Sequence, residues 1–133
     1  MANPEISNID VQSLVIENWA APPVTMKILR NQGILKAGTV LGVVSATGFL
    51  KALDSKSTDG SENPAYILLN EITTPSDAEV EVRLGLLAAG KVNAAKLVFE
   101  NDDYDSIDDF HTALKSAGII AVSLGVLGGI DNQ

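Results

Sequence analysis

The sequence predicts a small, mainly β domain with one short helix near its C-terminus. Short apolar runs are separated by glycine-containing and polar turns, one run alternates strictly between apolar and charged residues, and helix signals gather only near the end of the chain. A chain of 133 residues suits one domain, which would bury roughly two-thirds of the surface of its unfolded chain. We therefore expect a single-domain, meander-like or barrel-like β fold preceded by an extended N-terminal arm.

The charge balance argues against nucleic acid as a partner. Nine basic and seventeen acidic residues give a net charge of -8 and a pI near 4.4, so phosphates would be repelled. The absence of cysteine excludes disulfides and thiolate chemistry. The first ten residues lack the order of a signal peptide, and the longest weakly polar run, 117–130, is shorter than the ~20 residues of a membrane span. We expect a soluble protein made in the cytoplasm that binds neither nucleic acid nor membrane.

Residues 1–23 are interpreted as an arm that ends at a proline joint, with the β-rich domain at 24–133. Pro22 and Pro23 favour extended backbone and separate the two parts. Apolar and β-branched residues are more frequent in the arm than in a disordered leader, which is the alternative interpretation. We favour an extended peptide that stays mobile until it completes the sheet of another protein. The residues expected to bind are Ile6, Ile9, Val11, Leu14, Val15, Ile16 and Trp19.

Three glycines divide the start of the body. Gly38, Gly42 and Gly48 punctuate two predicted strands, 39–44 and 49–53, and glycine supplies the positive φ that tight connections need. Neither the dinucleotide spacing G-x-G-x-x-G nor the P-loop sequence G-K-[ST] is present. These glycines are therefore interpreted as turn residues and not as a phosphate-binding loop.

Further strands are predicted on both sides of this hairpin. Residues 24–30 and 78–85 alternate between apolar and polar positions, and 65–72 has the composition of a largely buried strand. The residues predicted to face the core are Val24, Met26 and Ile28 in the first of these, and Val80, Val82 and Leu84 in the second. Residues 86–100 contain alanines that suit a helix, but a glycine and an asparagine interrupt them, which favours two short strands around a turn.

Helix signals begin at Ser106, which is suited to cap a helix. Asp108 and Asp109 would lie at the positive end of the helix dipole, and Gly118 would end the helix. One face carries the apolar residues Ile107, Phe110, Leu114 and Ala117. Residues 118–129 are predicted to form the last strand.

Two candidate chemical sites have simpler explanations. The acidic residues at 101–109 are of a type that binds calcium, but Ser106 stands where an EF-hand has glycine and Thr112 stands where it has glutamate. A solvated loop and helix start explain the same residues. The single histidine, His111, has no serine motif for nucleophilic catalysis and is interpreted as a helix-surface residue. No metal or cofactor is expected.

Three motifs occur in a characteristic order along the body. They are the turn and strand Gly38–Gly42, the run P-A-x-I-L-L at Pro64–Leu69, and the segment G-x-x-x-x-G-K-V-N at Gly85–Asn93. In this order, and over residues 24–123, the chain resembles the bacteriophage lambda head decoration protein D family.

The resemblance implies a β-tulip-like fold and a non-enzymatic function. Proteins of this family form homotrimers at three-fold and quasi-three-fold positions on the outside of the expanded icosahedral head. There they cement neighbouring copies of the major capsid protein through an N-terminal arm and stabilise the virion against internal DNA pressure. A small β ligand-binding module with an apolar pocket is the alternative, and a hydrolase too divergent to show motifs is a third.

Overall fold

The structure is a computed structural model that describes residues 13–123. This part of the chain contains eleven strands and one α-helix, which confirms the predicted mainly β class. The strands are β1 (Val15–Ala20), β2 (Met26–Ile28), β3 (Gly33–Leu35), β4 (Val40–Val43), β5 (Leu50–Ala52), β6 (Tyr66–Leu68), β7 (Ile72–Thr74), β8 (Val80–Val82), β9 (Leu86–Leu87), β10 (Ala89–Asn93) and β11 (Ile119–Val122). The helix α1 is Ile107–Ala117, and a 3₁₀ turn spans Ala94–Lys96.

The largest sheet has six strands in the order β8-β2-β5-β4-β6-β9 and curls into half a barrel. Strands β4 and β5 form the predicted hairpin, with Leu41 opposite Ala52 and Val43 opposite Leu50. Strand β2 lies between β5 and β8, pairing parallel with the first and antiparallel with the second. The sheet therefore joins strands that are distant in sequence, which a simple meander does not.

Strands β4, β6 and β9 are buried on both faces. Successive side chains of a strand point to opposite faces, and in these strands both faces meet apolar residues. On one face the register aligns Val40, Ile67 and Leu87, which belong to a first core. On the other face lie the neighbouring residues of the same strands, Leu41, Leu68 and Leu86, which belong to a second core. All six side chains are fully buried.

A three-stranded sheet, in the order β1-β10-β11, covers the first core together with α1. Val92 of β10 and Ile119 of β11 enter this core, and α1 contributes Phe110 and Leu114. Strands β10 and β11 are parallel and are connected through α1. The predicted last strand is confirmed as β11, and its predicted extension beyond residue 123 lies outside the described residues.

The second core is closed by the short β3–β7 ribbon, which the sequence did not predict as strands. Leu35 of β3 and Ile28 of β2 are buried there. Gln32 joins the ribbon to the large sheet, because its side-chain oxygen accepts a hydrogen bond from Ala52 N at 2.9 Å and its nitrogen donates to Leu29 O at 2.8 Å. One side chain thus completes the backbone pairing between β2 and β5, whose register contains a single residue pair.

Several predicted details of the body are wrong. Val24 and Leu84 are 60% and 76% exposed, because they lie just beyond the paired ends of β2 and β8, where the core no longer continues. The predicted strand at 65–72 is divided into β6 and β7, which belong to different sheets. Residues 86–93 do form two strands, but a single residue, Ala88, separates them and the chain passes there from one sheet to another.

Helix α1 follows its predicted boundaries. Gly118 ends it in the left-handed conformation, and Phe110 and Leu114 are the buried residues of its apolar face. Ser106 occupies the capping position, but its hydroxyl donates to Asp109 Oδ2 at 3.3 Å, and no side-chain bond to the helix backbone forms. The predicted cap is therefore correct in position and wrong in its hydrogen bond.

Two of the glycines in the hairpin region have positive φ for different reasons. Gly38 has φ 97, and a Cβ there would collide with the backbone carbonyl of Lys96, because the 3₁₀ turn packs directly against the start of β4. Gly48, at the tip of the hairpin, has φ 76 but faces open space. Position 38 therefore needs glycine both for its positive φ and because there is no room for a Cβ. Position 48 needs glycine only for its positive φ.

We predict that Gly38→Ala destabilises the protein much more than Gly48→Ala. The change at Gly48 adds only backbone strain, about 1 kcal/mol, whereas the change at Gly38 adds a clash with a fixed carbonyl and should total about 3 kcal/mol or more. Urea denaturation of both variants measures the difference. Equal losses would contradict the close packing of Lys96 on Gly38.

Candidate capsid-binding site

The structure describes four of the seven residues predicted to bind the capsid. Leu14, Val15 and Ile16 are half-buried, and Trp19 is 51% exposed. The other three, Ile6, Ile9 and Val11, lie outside the described residues. The capsid-binding role of all seven stays a prediction.

The segment from Leu14 to Ala20 pairs within the chain. Strand β1 is antiparallel to β10, Leu14 O accepts a hydrogen bond from Asn93 N at 2.8 Å, and Ala20 O accepts one from Ala88 N at 2.8 Å. Leu14 and Val15 also pack against the first core. The expectation that the segment stays mobile until a partner strand arrives is therefore wrong for these residues, because β10 supplies a strand about seventy positions later in the sequence.

Strand β1 lies at the edge of its sheet and has an irregular register. Its pairing with β10 shifts between Val15 and Glu17 and again between Asn18 and Ala20. One side of the strand faces β10, and the other lies at the sheet edge. An edge strand is where another chain can add by backbone pairing, and irregularities of this kind limit such addition.

Trp19 does not project freely from this edge. Its Nε1 donates a hydrogen bond to Glu17 Oε1 at 2.8 Å, and Glu17 Oε2 lies 3.8 Å from Lys91 Nζ on β10. The sequence analysis selected Trp19 but missed Glu17 and Lys91. The available signal was the spacing of two residues between a carboxylate and an indole in a strand, which puts both side chains on one face.

Two exposed apolar residues, Val24 and Leu84, lie just beyond the paired ends of β2 and β8. Continuing the β2–β8 register by two positions places Val24 opposite Leu84. Arg83 Nε donates to Pro22 O at 3.2 Å, which ties the end of the N-terminal segment to the chain after β8. Val24 and Leu84 therefore add apolar surface beside the connection between β1 and β2.

The acidic segment fastens the helix region to the hairpin. Asp105 is buried and its Oδ2 accepts a hydrogen bond from Ser55 N at 3.1 Å. Tyr104 Oη donates to Asp54 Oδ1 at 2.5 Å, and Asn101 Nδ2 donates to Leu53 O at 3.0 Å. These three bonds link residues about fifty positions apart, so the segment from Asn101 to Asp105 acts as a latch.

The latch shifts the pKa of Tyr104 and that of its partner Asp54. The hydrogen bond to Asp54, reinforced by desolvation and by neighbouring carboxylates, raises the pKa of Tyr104 to about 12. The same hydrogen bond lowers the pKa of Asp54. Lys56 Nζ lies 4.0 Å from the centre of the Tyr104 ring, a cation–π contact on the outer side of the latch.

The structure gives no support for calcium at the acidic segment within residues 13–123. In that range no three His, Asp or Glu side chains converge as they do around a metal ion. His111 is exposed on α1, as predicted, and its Nε2 lies 3.0 Å from the carbonyl oxygen of Ala121 in β11. The imidazole therefore binds the neighbouring strand.

A surface depression of about 380 Å³ lies beside the latch. Leu97, Phe99 and Ile107 line it together with Asp102 and Asp105. The Asp105 carboxylate already accepts a hydrogen bond from Ser55 N, so we interpret it as a residue that stabilises the fold. No helix within residues 13–123 is long and apolar enough to span a bilayer.

Comparison with known families decides the class of protein. A model of the bacteriophage lambda head decoration protein D family matches residues 23–119, which is more than half of the chain. The chain belongs to this family. A search of curated proteins gave no match. The matched range covers most of the body, including the latch. Residues 1–22 precede it.

We predict that the raised pKa of Tyr104 appears as a pH-dependent part of the stability. The folded pKa, about 12, lies above the ordinary value of 10.0, so the bond contributes fully below pH 10 and its contribution is lost as pH rises through about 12. The difference in unfolding free energy between the decoration protein and Tyr104→Phe should shrink over that range. In absorbance titration the high-pKa step should vanish in Tyr104→Phe and persist in Tyr66→Phe; its survival in Tyr104→Phe would contradict the latch.

Proposed function

We propose that this decoration protein binds as a homotrimer to the outside of the expanded phage head. It is made in the host cytoplasm, attaches to the major capsid protein through its N-terminal segment, and stabilises the shell against the pressure of packaged DNA. The observation that carries the proposal is the match of residues 23–119 to the head decoration family. Chemistry at an active site has no part in this function.

The N-terminal segment is the best candidate for attachment. It precedes the family match, and it contains the apolar residues Ile6, Ile9 and Val11 in front of a strand that already lies at a sheet edge. Trp19 in β1 and Val24 just before β2 are also exposed. Exposed aromatic and aliphatic groups favour an interface formed mainly by apolar burial, because the irregular register of β1 limits backbone pairing at its edge.

Attachment through three copies explains how a site of low individual affinity gives a complex that dissociates slowly. Each large apolar side chain that becomes fully buried contributes about 1.5 to 3 kcal/mol, but ordering each residue of an extended segment costs about 1 to 2 kcal/mol. A single segment therefore binds weakly. Three segments carried by one trimer bind with high effective concentration and release slowly.

The acidic character of the chain suits an exposed position on a particle. A net charge of -8 resists non-specific aggregation in dense arrays and reduces binding to free nucleic acid. Most of the acidic segment at 101–109 is solvent-exposed, and only Asp105 is buried. This charge distribution is compatible with a protein that faces solvent in dense arrays.

We predict that deleting residues 2–12 leaves a folded protein that no longer binds expanded heads tightly. The deletion removes Ile6, Ile9 and Val11 but keeps Leu14, Val15 and all of β1 against the first core. We expect an unchanged melting temperature and a loss of head affinity of about tenfold or more, measured by co-sedimentation. Deleting residues 1–20 is the contrast, because it also removes β1 and should destabilise the fold. Full head binding by the shorter deletion would place attachment elsewhere.

We predict that the isolated protein has about three times the mass of the 13.9 kDa chain in light scattering. A closed ring of three copies uses one surface against a different one, so every copy gains the same two contacts. Dilution should shift the particle towards the single-chain mass if the trimer is reversible. A stable monomer at concentrations that saturate heads would refute the homotrimer.

A further inference from the structure

Glu17 and Trp19 form a paired unit on the edge strand. The indole N–H donates to a carboxylate oxygen at 2.8 Å while about half of the Trp19 surface remains exposed. Both residues precede the range matched by the family model. The unit therefore lies in the N-terminal segment, outside the matched range.

The carboxylate is itself held from the neighbouring strand. The register places Glu17 opposite Lys91, and Glu17 Oε2 lies 3.8 Å from Lys91 Nζ. An exposed ion pair of this kind adds little to stability. The ion pair uses Oε2 and the indole hydrogen bond uses Oε1, so the Glu17 carboxylate makes both contacts at the same time.

Such an arrangement reduces the side-chain entropy that Trp19 loses on binding. An exposed indole without a partner samples several rotamers, and fixing a side chain on binding reduces affinity by about two- to tenfold. A hydrogen bond from a neutral donor to a charged acceptor is stronger than one between neutral groups. It fixes the ring before binding and also satisfies the N–H, which leaves the apolar faces of the ring available for burial.

We propose that Glu17 is a positioning residue that holds the Trp19 ring in its capsid-binding orientation. The partner is an apolar site on the major capsid protein, so this inference rests on the proposed function. Glu17 does not itself have to touch the capsid. Its effect on binding passes through the indole N–H.

A double-mutant cycle tests the proposal. The variants are Glu17→Ala, Trp19→Phe and the two combined, since phenylalanine keeps an aromatic ring but has no N–H to donate. Head affinity is measured by co-sedimentation with expanded heads, and folding by thermal unfolding. Glu81→Ala is the matched control, because Glu81 is also an exposed glutamate in an edge strand opposite a lysine. It makes the same change in net charge.

We expect Glu17→Ala to weaken head binding by about threefold to tenfold and to leave the melting temperature unchanged. Glu17→Gln should restore most of the affinity because its amide oxygen still accepts the hydrogen bond. In the Trp19→Phe background, Glu17→Ala should have no further effect. An equal loss with Glu81→Ala, or an undiminished loss in the Trp19→Phe background, would overturn the positioning role.

A second measurement needs no heads. Trp19 is the single tryptophan of the chain, so fluorescence anisotropy reports the motion of this ring alone. Glu17→Ala should lower the anisotropy and Glu17→Gln should keep it. If anisotropy does not change in Glu17→Ala, the positioning role is wrong. If anisotropy falls as expected but Trp19→Ala binds heads normally, the error lies in the assignment of Trp19 to capsid attachment.

Discussion

The two-sided burial of β4, β6 and β9 is the constraint on which the other parts of the structure depend. Each strand places one large aliphatic side chain on either face, and two separate cores form against the same three strands. Interior packing is dense, so each face must be closed by elements that fit it. The curled sheet with the β3–β7 ribbon closes one face, and α1 with the β1-β10-β11 sheet closes the other.

This division explains why the N-terminal segment is both part of the fold and available to a partner. Leu14 and Val15 contribute to closing the first core, whereas β1, which begins at Val15, lies at a sheet edge and exposes Trp19. The body therefore supplies a fixed base for the beginning of the chain. The backbone of β1 is already paired with β10 before any partner binds.

The sequence predicted the elements whose signals are local. The hairpin of β4 and β5, strand β8 and helix α1 each have alternation, turn glycines or caps within a few residues, and all are present. The pairing of β1 with β10 and that of β3 with β7 could not be predicted in this way, because the paired residues lie from about 40 to about 75 positions apart in the sequence. Alternation also failed at Leu84, since it predicts which face a residue takes but not where the core ends.

The candidate site was predictable in composition and not in geometry. Its apolar residues are visible in the sequence before the proline joint, but their internal partner is not, because the glycine and asparagine that divide 86–100 into two predicted strands do not indicate what those strands pair with. The Glu17–Trp19 pair was hidden for a related reason: a carboxylate two residues before an indole has meaning only when the strand is known. The latch was likewise masked by the resemblance of its acidic residues to a cation site.

The pairing of β1 with β10 has a consequence for biosynthesis. During translation, residues 15–20 leave the ribosome long before Asn93, so the first strand has no template until most of the domain has been made. A nascent or prematurely terminated chain thus exposes Val15 and Ile16 without the ordered Trp19 that a finished chain displays. The Glu17–Trp19 surface therefore forms only after β10 has been synthesised, late in the completion of the polypeptide.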